Sequence, residues 1–301
     1  MSRVVFVLTP WLHLLDLAGP AQVFSTAGGY ELHYLAESSP VPTFQGVPLI
    51  AEAQWPQLRP ADLVIVPGWS SRVPTASGSR SSRLGPGFLA RIAAHHAAGG
   101  TVASVCSGAE ALGRAGLLAG RRCTTHHDLQ DELARDHPRA TVIRDVLYVE
   151  DDRVITSAGI ASGIDLALHL IAGRHGPAAA ARVAREMVVY ARRNGHEQQA
   201  SAMLRHRAHL SDAVHQVQDR IDADFAAPLP LGELAAGAGV SERTLTRLFT
   251  TATGQTPLRY QQLLRVERAE YLIGHGATVE SAARAVGFGD ARMLRRLRSR
   301  P

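Results

Sequence analysis

The sequence contains no lysine and only two cysteines, Cys106 and Cys123, among its 301 residues. Two cysteines are too few for a disulfide framework and are spaced wrongly for a structural zinc site, so we consider each as a single thiol. No stretch reaches the roughly 18 uninterrupted apolar residues of a membrane helix, and the first residues lead into a strand-like segment instead of a basic leader. These absences predict a cytoplasmic globular protein with no membrane partner, and we predict neither a metal nor a cofactor.

The positive charge is unevenly distributed along the chain. All 32 basic residues are arginines, and residues 231–301 hold 11 of them but only 6 of the 27 acidic residues, so this segment accounts for the whole net charge of +5. A basic face in a small terminal segment suits a polyanion, because phosphates neutralised by arginine release counterions. A solvated basic surface would have the same composition, so charge alone leaves both interpretations open.

Residues 1–175 alternate short β-rich runs with helical stretches. The runs at 63–66 and 102–105 are apolar throughout, which is typical of strands buried on both faces. The pattern predicts a mainly parallel sheet with helices on both sides. The predicted strands are 4–8, 30–35, 63–66, 101–105 and 154–158, and helices are predicted at 87–98, 109–118, 164–172 and 177–190. Residues 70–87, rich in serine, arginine, glycine and proline, are expected to form a mobile surface loop.

The chain is long enough for two compact domains. We predict a first domain at 1–190, a polar linker at 191–208 and a second, entirely helical domain at 209–301. The predicted helices of the second domain are 209–225, 231–238, 241–251, 257–273, 279–286 and 290–298. A unit of short apolar helix, glycine turn and basic helix occurs twice, around Gly239 and Gly287, which indicates an internal duplication.

The unit around Gly239 has the pattern of a helix-turn-helix. Ser241 can cap its second helix by accepting a hydrogen bond from a first-turn amide. In a helix-turn-helix, the outward face of that helix enters the major groove, where arginine can bond to guanine and threonine can meet a thymine methyl. The outward positions are Arg243, Thr244, Thr246 and Arg247. Helical hairpins in enzymes also expose basic helices, so one such match leaves DNA binding open.

The repeat of this unit favours DNA binding. Around Gly287, Asp290 takes the capping position, and Arg292, Arg295 and Arg296 are expected to be exposed. Two such helices on a rigid connecting helix would address successive major grooves, ~34 Å apart, on one face of the duplex.

Residues 209–298 resemble the DNA-binding domain of AraC/XylS-type regulators. The matching motifs are LAA (234–236), VS (240–241), RLF (247–249), TGQTP (253–257), the 265–272 helix and AVGFGD (285–290). The resemblance implies that Arg243, Thr246 and Arg247 face bases in the first unit, and Ala291, Arg292 and Arg296 in the second. The family usually has phenylalanine where Arg298 stands and continues further, so we expect a truncated C-terminal end and a weaker core in the second unit.

Cys106 follows the buried run 102–105 and precedes a helical segment. A strand-turn-helix junction of this kind strains the backbone and aims helix amides at the side chain, which predicts a lowered thiol pKa. Asp16 and His126 supply a carboxylate and an imidazole for a Cys/acid/His constellation at one edge of the sheet. Buried cysteines are also common core residues, so an inert Cys106 is the alternative.

Residues 1–190 resemble the ThiJ/PfpI branch of the class I glutamine amidotransferase-like superfamily, especially its isocyanide hydratases. The motifs that carry the resemblance are VFVL (5–8), LDLAGPAQVF (15–24), VIVPG (64–68), SVCSGA (104–109), AGLLAG (115–120), TTH (124–126) and SAGIASGID (157–165). The resemblance implies a flavodoxin-like fold, frequent dimerisation, Cys106 as nucleophile, Asp16 as the acid near it and His126 as the matching histidine.

The same resemblance implies a polar pocket formed by backbone amides around Gly68 and Ser107. Trp69 stands where these enzymes commonly carry a second glycine, and His127 replaces the usual tryptophan. A bulky Trp69 would crowd the pocket or turn it into a ligand cage. We therefore expect a site at Gly68, Trp69 and Ser107 that binds a ligand without turnover.

Together the two resemblances match GlxA-type regulators, in which an amidotransferase-like domain precedes an AraC-type domain. The predicted fold is an α/β flavodoxin-like domain followed by an all-α domain with two helix-turn-helix motifs. The predicted function is sequence-specific regulation of transcription, with an N-terminal domain that senses a small molecule or redox state or mediates dimerisation. The expected partners are double-stranded promoter or operator DNA, a small-molecule effector and a second copy of the chain, and RNA polymerase is a further candidate.

Two alternatives differ in the role of the N-terminal domain. One is a cysteine-dependent isocyanide hydratase-like enzyme with an accessory DNA-binding module. In that enzyme Cys106 would attack an electrophilic carbon while Asp16 moves a proton. The other is a purely structural dimerisation domain with an inert Cys106.

Overall fold

The computed structural model describes residues 1–70, 84–189, 193–199, 205–207, 209–274 and 276–298. Contacts between residues divide the chain into two units, 1–199 and 200–301. Residues 71–83 of the predicted surface loop lie outside the described residues, as do residues 191, 192, 200–204 and 208 of the predicted linker. Every helix within the described ranges is too short or too polar to span a membrane.

The first unit contains eight strands and six α-helices in its described part. The strands are β1 (Ser2–Val7), β2 (Tyr30–Leu35), β3 (Leu63–Val66), β4 (Thr101–Val105), β5 (Arg122–Cys123), β6 (Thr141–Val142), β7 (Tyr148–Asp151) and β8 (Val154–Ser157). The helices are α1 (Leu14–Ala27), α2 (Pro86–Ala97), α3 (Gly108–Arg114), α4 (Gln130–Asp136), α5 (Ser162–His175) and α6 (Pro177–Glu186), and a 3-10 turn spans His127–Leu129.

Six of these strands form one sheet in the order β2, β1, β3, β4, β8, β7. All neighbours are parallel except β7 and β8. Alternate residues of β1 enter two different cores, Val4 and Phe6 on one side and Val5 and Val7 on the other. The predicted parallel sheet with both faces buried is therefore confirmed.

The antiparallel strand β7 and the small β5–β6 pair were not predicted from the sequence. The β7–β8 turn passes through Asp152 and Arg153, which have φ values of 48° and 60°. Aspartate is common at the first position of such a turn, as Asp152 is here, but Arg153 stands where glycine is usual. The hairpin therefore carries only a weak local sequence signal.

The second unit is helical in its described part, as predicted. Its helices are α7 (Asp212–Asp224), α8 (Leu231–Gly237), α9 (Glu242–Thr253), α10 (Pro257–Gly274), α11 (Val279–Ala285) and α12 (Ala291–Arg298). One core lies beneath α8 and α9 and includes Leu245, Phe249 and Tyr260. A second core lies beneath α11 and α12 and includes Leu294 and Leu297. The two helix-turn-helix units thus have separate cores, connected by α10.

Arg265 on α10 donates hydrogen bonds to the segment that precedes the first helix-turn-helix unit and to the turn of the second unit. Its guanidinium donates to the carbonyl oxygens of Phe225, Ala226 and Ala227, before α8, at 2.6, 3.3 and 2.9 Å. It also donates to the carbonyl of Gly287, between α11 and α12, at 3.0 Å. A Cβ at Gly287 would lie 1.9 Å from the carbonyl oxygen of Ala226, so only glycine allows this approach.

Candidate DNA interface and ligand pocket

The helix α9 is fixed at its start and along one face. Ser241 caps it, since the side-chain oxygen accepts a hydrogen bond from the backbone N–H of Thr244 at 3.3 Å, as the sequence predicts. Leu245 and Phe249 are fully buried in the first core. We call α9 the first reader helix and α12 the second reader helix.

The opposite face of the first reader helix is exposed. Arg243 and Arg247 point into solvent and make no hydrogen bond or ion pair with any described residue. Thr246 lies between them, half-buried, and its hydroxyl donates to the carbonyl of Glu242 at 2.9 Å. Thr244 differs from this group because its hydroxyl accepts a hydrogen bond from Ser241 at 2.9 Å and belongs to the cap.

An open groove of about 620 Å³ runs along this face. Arg243, Thr246 and Arg247 line it, together with Thr250 and Thr251, which the sequence analysis did not single out. Thr250 lies three residues after Arg247 and four after Thr246, so helical spacing is the signal that identifies it.

The second reader helix has the same design, but its arginines are paired. Asp290 caps it by accepting a hydrogen bond from the Arg292 amide at 2.7 Å, which holds the pKa of Asp290 below its usual value. Arg292 contacts the same carboxylate at 2.8 Å, and Arg295 binds Glu280 at 2.5 Å. Carboxylates beside two of its arginines reduce the positive charge that this helix offers to phosphate.

The remaining predicted positions on the second reader helix differ in exposure. Arg296 is exposed and contacts the sulfur of Met293 at 3.0 Å, whereas Ala291 is half-buried. Leu297 closes the second core, and Arg298 lies outside it, beside Glu270 at 3.4 Å.

Cys106 lies at the junction of β4 and α3 with φ of 54°, so the predicted backbone strain is present. Gly68 passes close by, and a Cβ there would lie 2.6 Å from Cys106 Cβ and 2.5 Å from Asp16 Oδ2. The structure thus brings Cys106 and Asp16 together beside Gly68. Any other residue at position 68 would displace Cys106 and Asp16.

Asp16 is fully buried in α1. Its Oδ1 accepts a hydrogen bond from the Ile160 amide at 2.7 Å, and the buried carboxyl also lies beside the Gly68 amide and the Cys106 thiol. Burial raises the pKa of Asp16 to about 6, although the hydrogen bond from Ile160 opposes this rise. At neutral pH the group is mostly a carboxylate.

The prediction of a lowered thiol pKa is wrong. Cys106 is only 6% exposed, and burial raises its pKa well above the ordinary value. The adjacent Asp16 charge raises it further, and the Ser107 amide, the kind of donor that the prediction relied on, opposes the rise without offsetting it. Cys106 is therefore a neutral thiol at physiological pH.

Cys106 opens onto a pocket of about 240 Å³, which we call the Cys106 pocket. Its lining residues are His13, Phe44, Trp69, Ser70, Cys106, His126, Asp128, Leu129 and Ile160. His126 thus lies in the same pocket as Cys106, as predicted, and burial lowers its pKa. Its ring lies beside the His127 ring and beside Asp128, whose Oδ2 is 3.7 Å from His126 Nδ1.

The three predicted ligand-binding residues have different positions. Trp69 is 6% exposed and lines the Cys106 pocket, whereas Gly68 and Ser107 are not among its described lining residues. The Ser107 hydroxyl accepts a hydrogen bond from the Trp69 amide at 2.7 Å and donates one to the Trp69 carbonyl at 2.9 Å. Ser107 therefore holds the Trp69 backbone in place. His13 and Phe44 were missed because they come from loops without a sequence motif, and Ile160 was missed although it lies in the 157–165 motif.

Comparison with known proteins identifies both parts of the chain. Residues 2–173 match the profile of the DJ-1/PfpI family, and residues 234–300 match that of a helix-turn-helix domain. Among solved structures, a ThiJ/PfpI family protein from Pseudomonas syringae superposes with a TM-score of 0.55 at 24% identity, over 79% of this chain and 90% of that one. At this identity the likeness concerns the fold alone.

Three curated relatives differ in how much of the chain they share. The HTH-type transcriptional regulator CdhR of Pseudomonas aeruginosa is 28% identical over 89% of this chain and 79% of its own length. The regulator GbdR of the same species is 31% identical over 58% of this chain, and the match spans only 47% of GbdR. The isonitrile hydratase of Pseudomonas putida is 31% identical over 56% of this chain and 70% of its own.

Proposed function

We propose, from the premise that this chain belongs to the DJ-1/PfpI family and carries a helix-turn-helix domain, that it is a sequence-specific DNA-binding regulator of transcription. One observation carries the proposal: Arg243 and Arg247 extend, without a partner in the described chain, from a capped helix whose other face is buried. Unpaired arginines on a rigid helix are suited to bidentate hydrogen bonds with guanine. The likeness to the regulators GbdR and CdhR supports the same function.

The first reader helix provides the main base contacts in this proposal. Arg243, Thr246 and Arg247 face bases in the major groove, and Thr250 extends the same surface. The second reader helix contributes through Arg292, Arg295 and Arg296, and pairing with Asp290 and Glu280 weakens its share. The target is double-stranded promoter DNA in the cytoplasm, bound by two copies of the chain.

The Cys106 pocket is the proposed site for a small-molecule effector. Its walls combine aromatic rings with imidazoles and the Asp128 carboxylate, which gives a few polar groups within a largely apolar lining. Ligand binding is favoured over redox sensing, because the thiolate is the form that oxidises and burial keeps Cys106 protonated.

The test is fluorescence anisotropy with labelled fragments from upstream of the native gene and its neighbours, at several salt concentrations. We expect Arg247→Ala to weaken specific binding by about 1–3 kcal/mol. Arg220→Ala is the matched control, since Arg220 is an exposed arginine of the same unit that already pairs with Asp224. Equal affinities for native protein and Arg247→Ala, or binding without sequence preference, would refute the proposal.

A second candidate function is cysteine-dependent hydration of isocyanides. The juxtaposition of Cys106 and Asp16, together with the identity to the isonitrile hydratase, favours it. The raised pKa of Cys106 opposes it, because the nucleophile is the thiolate. Turnover of an isocyanide by native protein, lost in Cys106→Ser, would establish this activity, and a lack of turnover would reject it.

A further inference from the structure

Three side chains of types that bind metals lie close together beside the Cys106 pocket. They are His126, His127 and Asp128, and their ligand atoms all lie within 4.8 Å of one another. Asp128 bridges the two histidines, with Oδ2 at 3.7 Å from His126 Nδ1 and Oδ1 at 3.4 Å from His127 Nε2. The described part of the chain has no other group of three such side chains.

The local backbone explains why three consecutive residues point the same way. His126 precedes the 3-10 turn His127–Leu129, and its Nδ1 accepts a long hydrogen bond of 3.4 Å from the Asp128 amide. The two imidazole rings lie 4.1 Å apart between centroids. The turn therefore keeps both rings and the carboxylate on one side of the chain without help from distant residues.

We propose that His126, His127 and Asp128 bind one divalent late transition-metal ion, such as Zn²⁺. Two imidazole nitrogens and a carboxylate oxygen form a ligand set that zinc accepts, and donor atoms separated by 3.4 and 3.7 Å need only small rotations to share one ion. His127 and Asp128 are exposed, so the ion can enter directly from solvent.

Three protein ligands leave a coordination position open on a four-coordinate ion. His126 and Asp128 line the Cys106 pocket, and His13 lines it as well. The open position is therefore available to water, to His13 or to an electron-donating group of a molecule in the pocket. This metal site does not depend on the proposed DNA binding and can be tested without DNA.

The experiment is isothermal titration calorimetry of the full chain with zinc chloride. The protein carries no histidine tag and is first treated with a chelator that is then removed by dialysis. We expect one ion per native chain. His127→Gln and Asp128→Asn should each weaken binding at least about tenfold, because loss of even a supporting group around a metal typically costs 10–100-fold in affinity.

His169→Gln is the control, because His169 also faces a carboxylate, that of Glu150 at 2.8 Å, but belongs to no three-residue group. It should bind zinc like the native protein. Zinc should also raise the thermal midpoint of native protein and of His169→Gln more than that of His127→Gln. Native protein that binds no zinc, or zinc binding that His127→Gln and Asp128→Asn leave unchanged, would overturn the proposal.

Discussion

At the residue scale, Asp16 is the most constrained group of the first unit. It is fully buried, and the hydrogen bonds that Ile160, Gly68 and Cys106 offer it do not offset the loss of solvent. A carboxyl in this setting favours its neutral form, which is why its pKa rises to about 6. The same burial keeps Cys106 a thiol, so the two groups form a polar pair inside the fold without a permanent thiolate.

The raised pKa of Asp16 predicts a pH-dependent contribution to stability. Because the folded-state pKa exceeds the unfolded value, the contribution is complete below about pH 4 and is lost as pH rises through about 6. From pH 4 to 7, the free energy of unfolding of native protein should fall by about 2 kcal/mol relative to that of Asp16→Asn. Urea denaturation of both proteins at several pH values measures this difference, and parallel pH profiles would contradict it.

At the element scale, the two reader helices have similar caps but different electrostatics. Their boundaries could be predicted to within a few residues, because Ser241 and Asp290 are local capping signals. The pairing of Arg295 could not be predicted, because Glu280 lies 15 positions earlier and meets it only when α11 packs against α12.

The site around Cys106 has the same limit. Cys106 and Asp16 could be identified from the sequence, but the pKa of the thiol was predicted in the wrong direction, because the burial of both residues depends on segments distant in sequence.

Glu280 offers a test of this difference between the reader helices. Glu280→Gln frees Arg295, so we expect DNA affinity to rise several-fold. The slope of the logarithm of DNA affinity against the logarithm of salt concentration should become steeper by up to about 1. Glu233→Gln is the matched control, because it removes an equal exposed charge from α8 and frees no arginine. If both substitutions change the affinity and salt slope equally, the pairing does not limit the second reader helix.

Arg265 is the second test at this scale. Arg265→Met removes hydrogen bonds to four backbone carbonyls and should lower the free energy of unfolding of the second unit by at least about 2 kcal/mol. Arg268→Met, on the same helix, loses only a stacking contact with Tyr271 at 4.7 Å and should cost less than about 1 kcal/mol. Urea denaturation compares the two, and equal costs would show that the carbonyl contacts add little.

At the scale of the whole molecule, charge and pocket lie in different parts of the chain. Residues 1–230 carry no net charge and contain the Cys106 pocket, whereas residues 231–301 carry the net +5 and contain both reader helices. In the proposed function, attraction to the duplex therefore depends on the terminal part, and an effector in the Cys106 pocket would add no charge to the DNA-binding surface.

If the protein binds DNA as proposed, the contacts of Arg265 also restrict the DNA sequences that it can use. Because one side chain binds backbone on both sides of α10, it resists a change in the spacing of the two helix-turn-helix units. In the proposed function, the two recognition elements of an operator would then lie at one fixed phase of the double helix. Adding about five base pairs between them, half a turn, would carry one element to the far side of the duplex and leave a single anchoring point.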